Sequence, residues 1–84
     1  MKKRHQATVA NVLRLNGGTH WDDVEDLLVD GLNAEVYEGS GSTVTFVIGG
    51  LKFTVDRPHP RRECGRGLVK RVKKVLGELN VAGD

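Results

Sequence analysis

The segment from residue 43 to residue 56 restricts the fold of this chain more than any other part of the sequence. It contains two runs rich in β-branched and other apolar residues, Thr43–Ile48 and Leu51–Asp56, which are separated only by a pair of glycines. Two consecutive glycines readily take the positive φ angles that a two-residue hairpin loop needs. In the second run, apolar and polar residues alternate, as in a strand with one buried face. These features predict an antiparallel β-hairpin.

Helical and extended patterns flank this hairpin on both sides. The other predicted elements are a helix over His5–Leu15, a helix that Thr19 caps and Gly31 ends, a strand over Ala34–Glu38 and a helix over Arg66–Leu79. Each helix carries one apolar face, and a three-stranded antiparallel sheet with helices on one of its faces would bury all of them at once. We therefore predict one α+β domain over residues 1–84, in the order helix-helix-strand-strand-strand-helix.

Nothing in the composition points to a membrane or a secreted protein. No apolar run approaches the roughly 18 residues that a membrane span requires. The basic start, Met1–Gln6, lacks the apolar region of a secretory signal. Cys64 is the only cysteine, and a small fold without an internal disulfide fits a reducing compartment. We expect a cytoplasmic protein with no membrane partner.

Positive charge is concentrated in the second half of the chain. The formal charge is −3 over residues 1–41 and +5 over residues 42–84, and only Glu63 opposes the basic residues between Arg57 and Lys74. A local basic surface gains affinity for a polyanion by releasing condensed counterions. The alternative is a helix face that is merely soluble. We predict that RNA is bound by Arg57, Arg61, Arg62, Arg66, Lys70, Lys73 and Lys74.

His59 is the best single candidate for chemistry. It lies between two prolines, which predict an exposed, extended segment that would hold Arg57 and His59 out in solvent. Histidine suits RNA cleavage without a metal, because a group with a near-neutral pKa can both accept and donate a proton. The alternative is a structural histidine in a turn. We predict no cofactor and no metal, since the acidic run of Asp22, Asp23, Glu25 and Asp26 lacks the His or Cys partners of a zinc site and the spacing of a calcium loop.

Short motifs across most of the chain resemble those of HicA-type toxins. In the C-terminal half these are Arg57-Pro58-His59-Pro60, Glu63, Gly67, Val69-Lys70, Val72-Lys73-Lys74 and Leu76. Upstream they are Trp21, Glu25, Leu27-Leu28, Ala34-Glu35-Val36, Glu38-Gly39 and Gly41-Ser42. Together they cover about residues 21–81, and their combined order carries more weight than any single motif.

The resemblance implies a fold like that of a double-stranded-RNA-binding domain. It also implies an mRNA interferase, which is a metal-independent RNA endonuclease and the toxin of a toxin–antitoxin pair. Its partners would be mRNA and a HicB-type antitoxin that covers the active surface.

One position departs from the family pattern. The better-known members read Gly-Ser-His at the turn into the second strand, where the histidine is catalytic, and this chain has Thr43 after Gly41-Ser42. A threonine hydroxyl is too weakly acidic to act as a general base near neutral pH. Three interpretations stay open: His59 performs the chemistry, another constellation does, or the protein binds RNA or its antitoxin without cutting.

Overall fold

The computed structural model describes residues 1–81, so the last three residues of the predicted domain lie outside its described part. The elements are helix α1 (Lys3–Leu13), helix α2 (Trp21–Asp26) with a π-helical continuation (Leu27–Gly31), strands β1 (Glu35–Glu38), β2 (Thr43–Ile48) and β3 (Leu51–Asp56), and helix α3 (Gly65–Glu78). The predicted α+β fold and its element order are confirmed.

The three strands form one antiparallel sheet in the order β1-β2-β3. The β2–β3 hairpin has the predicted bounds, and its loop glycines, Gly49 and Gly50, have φ angles of 54° and 85°. Because that loop contains only two residues, the register follows by counting outward from it: Phe46 lies opposite Phe53, and Thr43 lies opposite Asp56.

A single apolar core joins one face of the sheet to the helices. Strand residues Val44, Phe46 and Phe53 are buried, as are the apolar faces of α1, α2 and α3. The Trp21 ring packs against Phe46 at a tilted angle, with 6.0 Å between ring centroids. Apolar burial on this one face is the main force that assembles the elements.

The connection between α1 and α2 differs from the prediction in its capping residue. The Thr19 hydroxyl donates to the Asn16 carbonyl at 2.6 Å, and the Thr19 carbonyl accepts from the Cys64 amide at 2.9 Å. Since these contacts hold Thr19 in the loop, the helix begins one residue later, where His20 Nδ1 accepts from the Asp22 amide at 3.2 Å. The prediction that Thr19 caps α2 is therefore wrong.

The end of the second helix also differs from the prediction. The π-helical continuation does end at Gly31, but Gly31 is its last residue and has no positive φ angle; Asn33 has the positive φ of 57°. A Cβ atom at Gly31 would lie 3.2 Å from the His5 ring, which is closer than side chains normally pack. The glycine is needed for the close approach of α1, a contact that local sequence patterns do not reveal.

The first and last helices lie close to their predicted ranges. Helix α1 starts two residues before His5 and ends at Leu13, because Leu15 turns the chain with a φ of 57°. Helix α3 is shifted by one residue from Arg66–Leu79. Within residues 1–81, no helix is long and apolar enough to cross a membrane.

Candidate nucleic-acid interface

The exposed face of α3 carries a compact group of cations. At about 100° per residue, Arg66, Lys70 and Lys73 fall within about 60° of one another around the helix axis, with Lys74 beside them. All four side chains are exposed, while Val69 and Val72 on the other side of the helix are buried. Burial of the apolar side therefore turns the cations towards solvent.

These four cations have no anionic partner among residues 1–81. Arg61, in the loop that leads into α3, is also exposed and unpaired within the same range. We call Arg61, Arg66, Lys70, Lys73 and Lys74 the basic surface. Its charge is available to a ligand because no described carboxylate neutralises it.

Arg71 belongs to α3 but not to the basic surface. Its guanidinium lies 5.3 Å from the centroid of the Phe53 ring and donates to the Thr54 carbonyl at 2.7 Å. It thus covers part of the free edge of β3 and is engaged within the fold.

Backbone hydrogen bonds fix the loop before α3 against the connection between α1 and α2. The Arg62 carbonyl accepts from the Trp21 amide at 2.7 Å, the Cys64 amide donates to Thr19 at 2.9 Å, and the Gly65 amide donates to Gly17 at 2.9 Å. The start of α3, and with it one end of the basic surface, therefore has a defined position relative to the other helices.

Arg62 is only partly available to a ligand. Its guanidinium pairs with the Asp22 carboxylate, and this hydrogen bond lowers the pKa of Asp22. Both side chains are substantially exposed, so the pair is open to water and its energy is small.

Arg57 is drawn into the fold instead of being held out in solvent. It makes two hydrogen bonds to Glu25, at 3.1 and 3.2 Å, and two to Glu38, at 2.7 and 2.9 Å. Only 22% of its side chain is exposed, so the prediction of an exposed Arg57 is wrong. Each of the two carboxylates makes a bidentate pair with the planar guanidinium. The prediction considered only the prolines beside Arg57, which say nothing about these distant partners. We call Arg57, Glu25 and Glu38 the arginine clamp.

The arginine clamp joins three elements of the fold. Glu25 comes from α2 and also accepts from Trp21 Nε1 at 2.7 Å, while Glu38 ends β1 and Arg57 follows β3. Its hydrogen bonds, those to Glu38 first, raise the pKa of Arg57, and the bond from Arg57 lowers the pKa of Glu38. The clamp thereby fixes the start of the segment that carries His59.

His59 itself matches the prediction of exposure. Residues 57–60 form no helix or strand, and the His59 side chain makes no hydrogen bond within the described chain. It is accessible to a ligand, but no described side chain orients it as a catalytic base would usually be oriented.

Thr43 begins β2 and lies at the end of the β2–β3 pair where β3 leads into the segment that carries His59. Its hydroxyl donates to Asp56 Oδ1 at 2.7 Å, across the strands. Thr43 and His59 are not hydrogen-bonded to each other. The carboxylate of Asp56 was missed by the sequence reasoning, although counting outward from the Gly49-Gly50 loop places it opposite Thr43.

The remaining polar candidates have structural explanations. Cys64 is half-buried, and burial, helped by Asp23, raises the pKa of its thiol to about 11, which keeps it protonated near neutral pH. Three of the four carboxylates in the acidic run on α2 pair with arginines: Asp22 with Arg62, Glu25 with Arg57, and Asp26 with Arg4.

Comparisons with models of protein families, with curated proteins and with solved structures each find no match to this chain. The likeness to HicA-type toxins therefore remains a resemblance in short motifs.

Proposed function

We propose that this protein binds RNA through the basic surface and acts as the mRNA interferase toxin of a toxin–antitoxin pair, as the HicA-type motifs imply. The observation that carries the RNA-binding part is the group of uncompensated cations at Arg66, Lys70, Lys73 and Lys74 on one exposed helix face. A rigid row of cations can follow the phosphates that line an A-form groove without reading base sequence.

The binding part is tested by the salt dependence of RNA affinity. In a plot of log K against log salt, five phosphate contacts predict a slope of about −3.5 for single-stranded RNA and about −4.5 for a duplex with an A-form groove. Fluorescence anisotropy with a labelled RNA, between low and physiological salt, measures this slope. A slope near zero would contradict phosphate binding by the basic surface.

The cleavage part assigns the chemistry to His59. In this proposal the neutral His59 imidazole accepts the 2′-OH proton while the 2′ oxygen bonds to the adjacent phosphorus. The P–O5′ bond breaks, which leaves a 2′,3′-cyclic phosphate, and water protonates the departing 5′ oxygen. The exposed neighbour Arg61 stabilises the charge that develops on the phosphorus oxygens. No metal takes part in this step. A HicB-type antitoxin, as the resemblance implies, would inhibit the protein by covering the basic surface and His59.

A non-catalytic RNA-binding or partner-binding module is the second candidate function. Two observations favour it: Thr43 stands where the family has its catalytic histidine, and its hydroxyl is held by Asp56. In addition, no described group orients His59.

Inducible expression separates the two candidates. Wild type and His59→Ala are expressed in parallel, with growth and transcript integrity scored together. The exposed side chain of His59 makes its removal neutral for folding, which circular dichroism checks. Transcript loss in the wild type alone supports the interferase. Intact transcripts in both, together with salt-dependent RNA binding, support the binding module.

A further inference from the structure

His5 is an unusual residue on α1, because it is a histidine that is only 1% exposed. Its Nε2 atom lies 2.7 Å from Asp30 Oδ2, which fits an Nε2–H donor and fixes the ring. Its Nδ1 atom is also buried and has no hydrogen-bond partner within the described chain. Buried polar atoms are nearly always paired, so this nitrogen requires an explanation.

The unpaired nitrogen points towards a second carboxylate. Asp26 Oδ2 lies 3.7 Å from His5 Nδ1, which is too long for a hydrogen bond. Ligand atoms of His5, Asp26 and Asp30 all lie within 4.8 Å of one another. The π-helical continuation of α2 places Asp30 beside Asp26, and the bare Cα of Gly31 makes room for the His5 ring.

We propose that His5 and Asp26 bind a divalent transition-metal ion of the zinc type, with Asp30 orienting the imidazole. A separation of 3.7 Å lets one ion lie about 2.1 Å from both a histidine nitrogen and a carboxylate oxygen. The Nε2–H bond to a carboxylate is the usual outer-shell arrangement of a metal-binding histidine. An imidazole ligand favours zinc-type ions over magnesium or calcium.

Two built-in cations occupy the carboxylates in the metal-free protein. Arg4 Nε lies 2.7 Å from Asp26, and Lys2 Nζ lies 3.0 Å from Asp30. Both basic side chains are more than half exposed, so they can swing into solvent when an ion binds. Arg4 is therefore an internal competitor of the metal for Asp26 Oδ2, whereas Lys2 pairs only with the orienting carboxylate of Asp30, and this gives the proposal a specific signature.

The acidic run alone had predicted no metal, because it contains no histidine. The histidine is supplied by α1, 21 residues before Asp26. The proposed metal site is also independent of RNA binding. His5 lies near the start of α1, whereas the end of α1 leads into the loop that contacts the start of α3. None of the proposed metal ligands belongs to the basic surface.

An isothermal titration calorimetry experiment, in which ZnCl2 is added to the full chain, tests the proposal. We expect binding of one ion per chain, weakened at least tenfold in both His5→Gln and Asp26→Asn. If the substitution of the buried His5 impairs folding, Asp26→Asn, at a more exposed residue, still tests the proposal. Arg4→Gln should strengthen binding by about fivefold, because the exposed guanidinium no longer competes with the ion for Asp26.

The matched control is His20→Gln. His20 Nδ1 also lies 3.7 Å from a carboxylate, that of Asp22, but the ring is exposed and Nδ1 already accepts a backbone hydrogen bond. Zinc affinity should be unchanged in this variant. The proposal is overturned if neither wild type nor Arg4→Gln binds zinc, or if His20→Gln loses as much affinity as His5→Gln.

Discussion

The arginine clamp and the basic surface contain the same kind of residue in opposite situations. Arg57 shares its charge with two carboxylates and is mostly buried, whereas Arg66 and the lysines of α3 have no anionic partner in the described chain. A charge count along the sequence treats them alike. The difference shows that the tertiary structure separates a basic residue whose charge stays uncompensated, and therefore open to a ligand, from one whose charge is neutralised within the fold.

The largest expected effect is on RNA affinity. The combined substitution Lys70→Glu, Lys73→Glu and Lys74→Glu should weaken RNA binding by about a hundredfold at physiological salt and flatten its salt dependence, because three phosphate contacts become repulsive. The free energy of unfolding should change little, since all three side chains are exposed. Fluorescence anisotropy and urea unfolding measure the two quantities. Lys52→Glu, at an exposed lysine of β3, is the control, and an equal loss there would contradict a localised interface.

Removal of the clamp should have the reverse pattern. We expect Arg57→Ala to lower the free energy of unfolding by about 2 kcal/mol, because it leaves Glu25 and Glu38 close together without their counter-charge. RNA affinity should be nearly unchanged. Urea unfolding of Arg57→Ala beside Arg66→Ala checks this, with Arg66→Ala expected within about 0.5 kcal/mol of wild type. If Arg57→Ala reduced the salt slope as much as Arg66→Ala, the two regions would not differ as described.

Acid should protonate the carboxylates and so weaken their ion pairs, while the basic surface stays charged. The hydrogen bond from His5, and then that from Lys2, lowers the pKa of Asp30 from 3.8 to about 2. A carboxyl with a lowered folded-state pKa adds stability above its unfolded pKa and loses it as pH falls through the folded value. We therefore expect stability to decrease between about pH 4 and pH 2.

Urea midpoints at pH 5 and pH 3 measure this decrease, and Asp30→Asn should reduce it. Asp23→Asn serves as the control, because Asp23 makes no ion pair in the part of the chain that the structure describes. A pH dependence that is identical in both variants would argue against a contribution from Asp30.

The smallest effect is expected at Thr43. Thr43→Val removes the hydroxyl that donates to Asp56 and should cost about 1 kcal/mol of stability. Thr45→Val is a matched control, since the Thr45 hydroxyl pairs across the same strands with Thr54 at 2.8 Å. Transcript loss on expression should persist in Thr43→Val. If transcript loss disappeared in Thr43→Val and persisted in His59→Ala, the chemistry would be assigned to Thr43 instead of His59.

The parts of the site that sequence could predict are those with local causes. The exposure of His59 follows from its flanking prolines, and the outward face of α3 follows from the helical period of Val69, Val72 and Leu76. The Thr43–Asp56 pair also follows from the length of the hairpin loop, although the sequence reasoning did not predict this pair.

The parts that sequence could not predict depend on partners far along the chain. Glu25 is 32 residues from Arg57, and Asp30 is 25 residues from His5. No periodic pattern connects such positions, and only the packing of α1 and α2 against the sheet brings them together.

The sequence by itself determined the element order, the hairpin register, the buried face of each helix and the positions of the charges. These properties follow from turn chemistry and from periods of two and 3.6 residues, which act over short distances. The tertiary structure decided which charges are neutralised and which stay free, and it placed a buried histidine between two carboxylates. Those outcomes depend on long-range contacts, because electrostatic pairing is set by distances in space and not by spacing along the chain.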